Sequence, residues 1–255
     1  MFVVLTVLVG ACANHKAPAA APHVAQALRV EVINRFPHDR AAFTQGLLYA
    51  GGKLYESTGL TGRSSLRRVD PATGDVEKSI DIEPAIFAEG LALAAGELYQ
   101  LSWMNGRAFV YRADTFERVR EHSYPGEGWG LTYDSRRLIM SDGSARLFFR
   151  DPKTFAVTGS VEVLRAGQPV KNLNELEFAG GQVFANVWQT DLILRIDPAT
   201  GEVTGTIDAS GLLSPNERVG ADVLNGIAYV PERGTFYVTG KLWPTLFEVK
   251  FTEAR

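Results

Sequence analysis

The chain has 255 residues with 26 Lys and Arg against 29 Asp and Glu, and its net charge of −3 leaves no basic excess for nucleic acid or for a membrane surface. A single cysteine excludes a disulfide framework. The 25 glycines and 10% aromatic residues suit one turn-rich β-domain large enough to bury a substantial core.

Residues 1–12 open the chain with an almost wholly apolar run that stops at Cys12 and is too short to span a bilayer. Leu8-Val9-Gly10-Ala11-Cys12 is similar to a bacterial lipobox. The expectation is therefore export to the periplasm, with lipidation of Cys12 as the only tie to a membrane. One departure from a signal peptide is that no Lys or Arg precedes the run. Residues 13–27, rich in Ala, Pro and His without an apolar period, read as a flexible tether in which His15 and His23 are solvated.

Residues 28–255 carry a repeat. Phe43-Thr44-Gln45-Gly46-Leu47, Phe87-Ala88-Glu89-Gly90-Leu91, Gly128-Trp129-Gly130-Leu131, Leu173-Asn174-Glu175-Leu176 and Leu224-Asn225-Gly226-Ile227 align on Gly46, Gly90, Gly130, Glu175 and Gly226, at spacings of 44, 40, 45 and 51 residues. A second apolar strand follows each copy, as in Leu54-Tyr55-Glu56 and Leu98-Tyr99-Gln100. Farther on comes a turn of the form Asp-Pro-x-Thr at Asp70, Asp151 and Asp197, with Ala113-Asp114-Thr115-Phe116 as a weaker copy. Four short strands per unit, without helical periodicity, predict a β-propeller of five four-stranded blades. The last unit supplies only three strands, at 226–230, 235–240 and 246–251. Residues 29–34, alternating with period two, are expected to add the fourth and close the ring, leaving no open edge.

In such a ring the residue before each repeat glycine lies at one mouth of the channel, which collects Gln45, Glu89, Trp129, Asn174 and Asn225. The second strand runs back to the same mouth and ends near Trp103, Asp142, Trp188 and Lys241. Apolar walls with a few placed polar groups are the composition of a ligand site. The repeat glycines are read as structural, Trp243 beside Pro244 as a corner residue, and Glu175 and Glu177 as hydrogen-bonding groups within the ring. A glutamate facing the interior beside Phe87 and tryptophans is costly unless used, which singles out Glu89. His15, His23, His38 and His122 show no zinc-ligand spacing.

At these residues the chain resembles the plant and bacterial glutamine cyclotransferases. The likeness rests on the 38–47 segment, Tyr55-Glu56-Ser57-Thr58-Gly59, Phe87-Ala88-Glu89-Gly90-Leu91, Gly126-Glu127-Gly128-Trp129-Gly130-Leu131, Asn174-Glu175-Leu176-Glu177, Asn186-Val187-Trp188 and Gly240-Lys241-Leu242-Trp243-Pro244. The resemblance implies a five-bladed propeller that converts N-terminal glutamine of peptides to pyroglutamate with release of ammonia, with no metal or other cofactor; a monomer is expected. It implies Glu89 as proton shuttle, Gln45 and Asn174 as holders of the substrate amide, and Lys241 as a site lysine. Phe43, Phe87, Trp103, Trp129 and Trp188 would form the aromatic pocket. Two other readings use the same ring: a calcium-dependent lactonase or esterase with Glu89, Asn174, Asn225 and Gln45 as oxygen ligands, and a non-catalytic propeller that binds peptides.

Overall fold

The computed structural model describes residues 24–254. Cys12 and most of the expected tether lie outside them. Within them every regular element is a strand. The first, β1 (Gln26–Pro37), is followed by β2 (Thr44–Ala50), β3 (Lys53–Thr58), β4 (Ser65–Val69) and β5 (Val76–Asp81), which form one antiparallel sheet in sequence order. A second such sheet is β6 (Ala88–Ala94), β7 (Glu97–Ser102), β8 (Arg107–Arg112) and β9 (Arg118–Ser123). A third is β10 (Leu131–Tyr133), β11 (Leu138–Met140), β12 (Arg146–Arg150) and β13 (Val157–Glu162). After the small hairpin β14 (Leu164–Arg165) and β15 (Gln168–Pro169), which the repeat did not foretell, come β16 (Leu173–Ala179), β17 (Gln182–Val187), β18 (Leu192–Ile196) and β19 (Val203–Asp208). The chain ends with β20 (Leu224–Val230), β21 (Thr235–Gly240) and β22 (Thr245–Glu253).

Local chemistry explains the turns. Gly51-Gly52, Ala95-Gly96 and Gly180-Gly181 join the first two strands of their units with positive φ at both residues, the backbone of a tight hairpin whose twist matches that of its strands. The Asp-Pro-x-Thr segments join third to fourth strands. At Asp70 the carboxylate accepts the amides of Ala72 (2.9 Å) and Thr73 (3.3 Å), and at Asp151 the same bonds come from Lys153 (2.9 Å) and Thr154 (2.8 Å).

The structure departs from five separate four-stranded sheets. Beside the three such sheets there is one of eight strands, in the order β16-β17-β18-β19-β1-β22-β21-β20. The reason is β1, which extends beyond residues 29–34. It pairs antiparallel with β22 from Leu28 opposite Glu253 to Pro37 opposite Thr245, as the closing strand was expected to do. Its first residues, including Gln26 and Ala27 of the expected tether, also pair in parallel with β19, Gln26 opposite Gly205. The open edge of β19 thus recruits the same strand, and two rows of four are welded into one sheet.

The innermost strands pack in a cycle: β2 on β6, β6 on β10, β10 on β16, β16 on β20 and β20 on β2. Apolar cores lie between neighbouring rows. Leu66, Leu91 and Phe109 fill one, Leu101, Leu131 and Phe155 the next, and Leu47, Leu54 and Leu246 the one that completes the turn. The arrangement is all-β and propeller-like. Burying each such side chain contributes about 1.5–3 kcal/mol before conformational entropy is counted.

Close approach of the inner strands accounts for the repeat glycines. A Cβ on Gly46 would stand 2.5 Å from the Leu91 amide nitrogen, on Gly90 2.5 Å from that of Leu131, and on Gly130 2.0 Å from the Asn174 carbonyl oxygen. Glu175 replaces the glycine in the fourth copy and spans the ring. Its carboxylate accepts the Leu47 amide of β2 (3.2 Å) and the Ile227 amide of β20 (2.9 Å). Glu177 accepts the Tyr229 amide at 2.7 Å. Both serve hydrogen bonding within the ring, as expected. Burial pushes the Glu175 carboxyl well above the usual range, helped by Glu177, and lifts Glu177 to about 8.

Candidate active site

Four inner strands lose register at the repeat: between Thr44 and Gly46, Ala88 and Leu91, Leu173 and Leu176, and Leu224 and Ile227. Such an irregularity bends the strand and re-aims the side chain it carries. In the third unit the same place is held by Ser141, whose carbonyl accepts the Trp129 amide (3.0 Å) and whose hydroxyl accepts that of Gly130 (2.7 Å). Gln45, Glu89, Trp129 and Asn174 consequently line one cavity of about 380 Å³.

Two further positions of the repeat face the same space. One is the residue just past the second strand: Trp103 after β7, Trp188 after β17 and Lys241 after β21. In the first unit this place is Gly59, where a Cβ would stand 2.4 Å from the Phe87 ring. Leaving out that side chain makes room for Phe87. The other position lies two residues before Gln45, Glu89, Trp129 and Asn225, and holds Phe43, Phe87, Glu127 and Val223, of which Phe43, Phe87 and Val223 line the cavity and Glu127 stands behind the indoles. Main-chain bonds tie the two positions together, from Gly59 to Phe43 (2.8 Å), Trp103 to Phe87 (2.9 Å) and Lys241 to Val223 (3.0 Å).

The aromatic residues form a continuous wall. Phe43 meets Phe87 edge-on with centroids 6.1 Å apart, Phe87 meets Trp103 at 5.6 Å, and Trp129 meets Trp188 at 5.5 Å. The gap between Trp103 and Trp129 is bridged by Glu127. One of its carboxylate oxygens accepts both indole N–H groups, at 2.7 and 2.8 Å.

The polar groups sit deeper. Gln45, Asn174, Glu89 and Lys241 are all buried, at 3–5% exposure, whereas the aromatic walls are half-buried. The Gln45 carboxamide donates to Glu89 Oε1 at 2.9 Å, and the Lys241 ammonium lies over the Phe43 ring, 4.9 Å from its centroid. Burial drives the Glu89 carboxyl well above the usual range. Lys241 opposes that shift without cancelling it, and Glu127 adds to it. Burial lowers Lys241 against the pull of Glu89 and Asp222. Asn174 Oδ1 is buried without a hydrogen-bond partner, so this carboxamide has unused capacity.

Every residue expected at the site lines the cavity except two of the mouth positions. Asn225 is wholly buried behind it, donating to the Thr44 carbonyl at 3.0 Å. Its Nδ2 fixes the backbone that presents Gln45, while its Oδ1 is buried without a partner. Asp142 turns back on its own loop and accepts the Ser144 amide at 3.0 Å. Trp243 is core, 1% exposed, with its indole N–H on the Asp222 carbonyl at 2.8 Å. Glu127, Val223, Gln189 and Asp222 were missed. The first two occupy the repeat position of Phe43 and Phe87, so the alignment held the signal. Gln189 and Asp222 lie on loops whose paths the repeat does not encode.

Fold and site together define a ring-shaped β-protein with one buried carboxyl, one buried ammonium and two carboxamides at the base of an aromatic cup. The family model described as glutamine cyclotransferase matches residues 3–251, and the chain belongs to that family. It is 45% identical over 231 residues to a glutaminyl-peptide cyclotransferase of Arabidopsis thaliana, covering 88% of this chain and 72% of that one. The crystal structure of Myxococcus xanthus glutaminyl cyclase superposes with a TM-score of 0.82 at 41% identity, covering 91% of this chain and all of that one.

Proposed function

We propose that the protein is a glutaminyl-peptide cyclotransferase that closes N-terminal glutamine into pyroglutamate and releases ammonia, with Glu89 carrying the proton. The observation that carries this reading is the contact of Gln45 with a Glu89 carboxyl held above its usual range, beside Lys241 and inside aromatic walls.

The substrate's terminal ammonium, with a pKa of about 8 in water, must lose a proton before its nitrogen can attack the side-chain carbonyl. A carboxyl raised toward that value takes the proton at little cost, which is the matching that general acid–base catalysis needs. The amine nitrogen then bonds to the γ-carbonyl carbon, and the carbonyl oxygen takes up the electron pair. Collapse of this intermediate restores the carbonyl and breaks the bond to the amide nitrogen, which leaves as ammonia with the proton returned by Glu89. The ring nitrogen gives its second proton to the emptied Glu89 carboxylate, from which ammonia carries it away as ammonium. Asn174 and Lys241 are the donors within the cup for the charged oxygen. The aromatic walls hold the side chain folded toward its own amine, where orientation contributes several kcal/mol.

The calcium reading is less well supported. Asn225 does not reach the cavity and Gln45 presents an N–H to Glu89. Among the described residues no group of three His, Cys, Asp or Glu has the arrangement of a metal site. Incubation of a glutamine-leading dipeptide with the protein, followed by ammonia assay with and without a chelator, tests the proposal. Release that survives chelation is expected; binding without release would return the protein to the non-catalytic reading.

Two finer points belong to the same proposal. We count the ring as five blades, the eight-stranded sheet being β16–β19 joined to a blade of β20–β22 and β1. The cyclic packing of five inner strands supports this count. Export with lipidation at Cys12 is supported by the run that precedes it, and incorporation of labelled fatty acid into the wild type but not into Cys12→Ser tests it.

A further inference from the structure

The aromatic wall of the cup is not closed all the way round. It runs from Phe43 through Phe87, Trp103 and Trp129 to Trp188, and the remaining arc among the described lining residues is Gln189, Asp222, Val223 and Lys241. At this arc a second cavity of about 380 Å³ begins. It shares Gln189, Asp222 and Val223 with the first and continues over Thr190, Asp191, Arg218 and Ala221. Its character is different: it has no aromatic residue, and it offers two carboxylates and a guanidinium. Exposure also grades outward, from buried Lys241 and Glu89 through half-buried Val223 and Asp191 to exposed Gln189 and Arg218.

Resting on the proposed cyclase activity, we propose that this outer cavity is the subsite for the peptide chain that follows the N-terminal glutamine. The glutamine must enter amine and side chain first, since both ends of the forming ring meet at Glu89. Its own carbonyl and all later residues then have to leave through the rim. The aromatic arc offers no hydrogen-bond partners to a main chain except the indole N–H groups, and those of Trp103 and Trp129 are already taken by Glu127. The polar arc does. Arg218 is half exposed and 4.0 Å from Asp191, too far for a hydrogen bond, so both groups remain available to a ligand. The backbone beneath them is set, with Gln189 at φ 64° and the Thr190 amide and hydroxyl both on the Val187 carbonyl. A left-handed residue that is not glycine, at the junction of two cavities, is the kind of fixed strain found at ligand clamps.

The experiment compares two substrates in the intact protein: glutamine amide, which ends within the cup, and the tetrapeptide amide Gln-Ala-Lys-Ala, which reaches the outer cavity. We expect kcat/KM of wild type to favour the tetrapeptide by about tenfold, the worth of two ordinary hydrogen bonds. In Arg218→Ala and in Asp191→Ala that ratio should fall towards one. A wild-type ratio near one overturns the subsite. So does an unchanged ratio in both variants, which would place the chain elsewhere on the rim. Glutamine amide reports on the cyclase activity separately: if it releases ammonia while the ratio is flat, only the subsite fails, and if neither substrate reacts, the activity itself fails and the subsite with it.

Discussion

At the scale of single residues the site depends on two carboxylates with opposite tasks. Glu89 is buried, linked to Gln45 and pushed up by its surroundings. Glu89→Gln keeps the shape and removes the proposed proton carrier, so ammonia release should drop by at least about a hundredfold with the far-UV spectrum unchanged. Residual turnover near the wild-type level would remove Glu89 from its role. Glu127 holds two indoles and is not among the residues that line the cavity. Glu127→Ala should free Trp103 and Trp129, shift tryptophan emission and lower kcat/KM by about tenfold, with KM affected more than kcat. Glu127→Gln, whose amide oxygen still accepts, should recover part of both changes. Glu89 was legible in the sequence because it is the one acid in its column of the repeat. Glu127 stood in an equally informative column, two places earlier, but a carboxylate among phenylalanines looks like an exception until the indole bonds are seen.

Among the elements, β1 was legible as a closing strand but not as a weld between two rows. Period-two alternation shows that 29–34 is a strand, whereas its partners are chosen by which edges stand open at the end of folding. Where β1 leaves the sheet, His38 pins it. Its ring bonds the Trp243 carbonyl through Nδ1 (2.8 Å) and Glu56 through Nε2 (3.1 Å), both acceptors, which calls for a proton on each nitrogen. Burial alone would lower His38, but Glu56, the Trp243 carbonyl and Asp39 together leave it raised, and Glu56 is lowered in turn despite its own burial. A histidine raised in the folded state contributes its stability below the ordinary value of about 6.5 and loses it as pH climbs through the folded value. His38→Ala, which leaves buried Glu56 with only the Thr44 hydroxyl at 2.7 Å and the Arg67 guanidinium at 4.0 Å, should therefore cost about 3 kcal/mol at pH 6 by chemical denaturation, and the gap to wild type should narrow by pH 9. A gap that stays constant with pH would show that packing, not charge, is what the histidine supplies.

For the whole molecule, the period gave the propeller-like arrangement, the order of its units and the side on which the candidate site lies. What stayed hidden is the β14–β15 hairpin and the loops after β17 and before β20, whose paths no strand pattern constrains. The ring has its own dependence on acidity through Glu175 and Glu177. Folded, Glu177 keeps its proton to about 8; unfolded, it loses it near the ordinary 4.5. Between those values unfolding releases a proton, so stability declines as pH rises. Glu177→Gln should remove part of that decline, and thermal midpoints of variant and wild type should separate by the equivalent of a few kcal/mol between pH 5 and 9, with the variant the more stable at the alkaline end. Parallel curves would show that the carboxyl titrates as it does in water.

The slipped register at the start of the inner strands has a consequence for how such a protein can change. Each slip frees one side chain from the alternation that governs its neighbours, while the adjoining contacts keep the strands seated. Those sockets can therefore accept a new occupant without rebuilding the ring of sheets around them. Three of the four, at Gln45, Glu89 and Asn174, open on the cavity, so the lining there can be exchanged on an otherwise untouched frame.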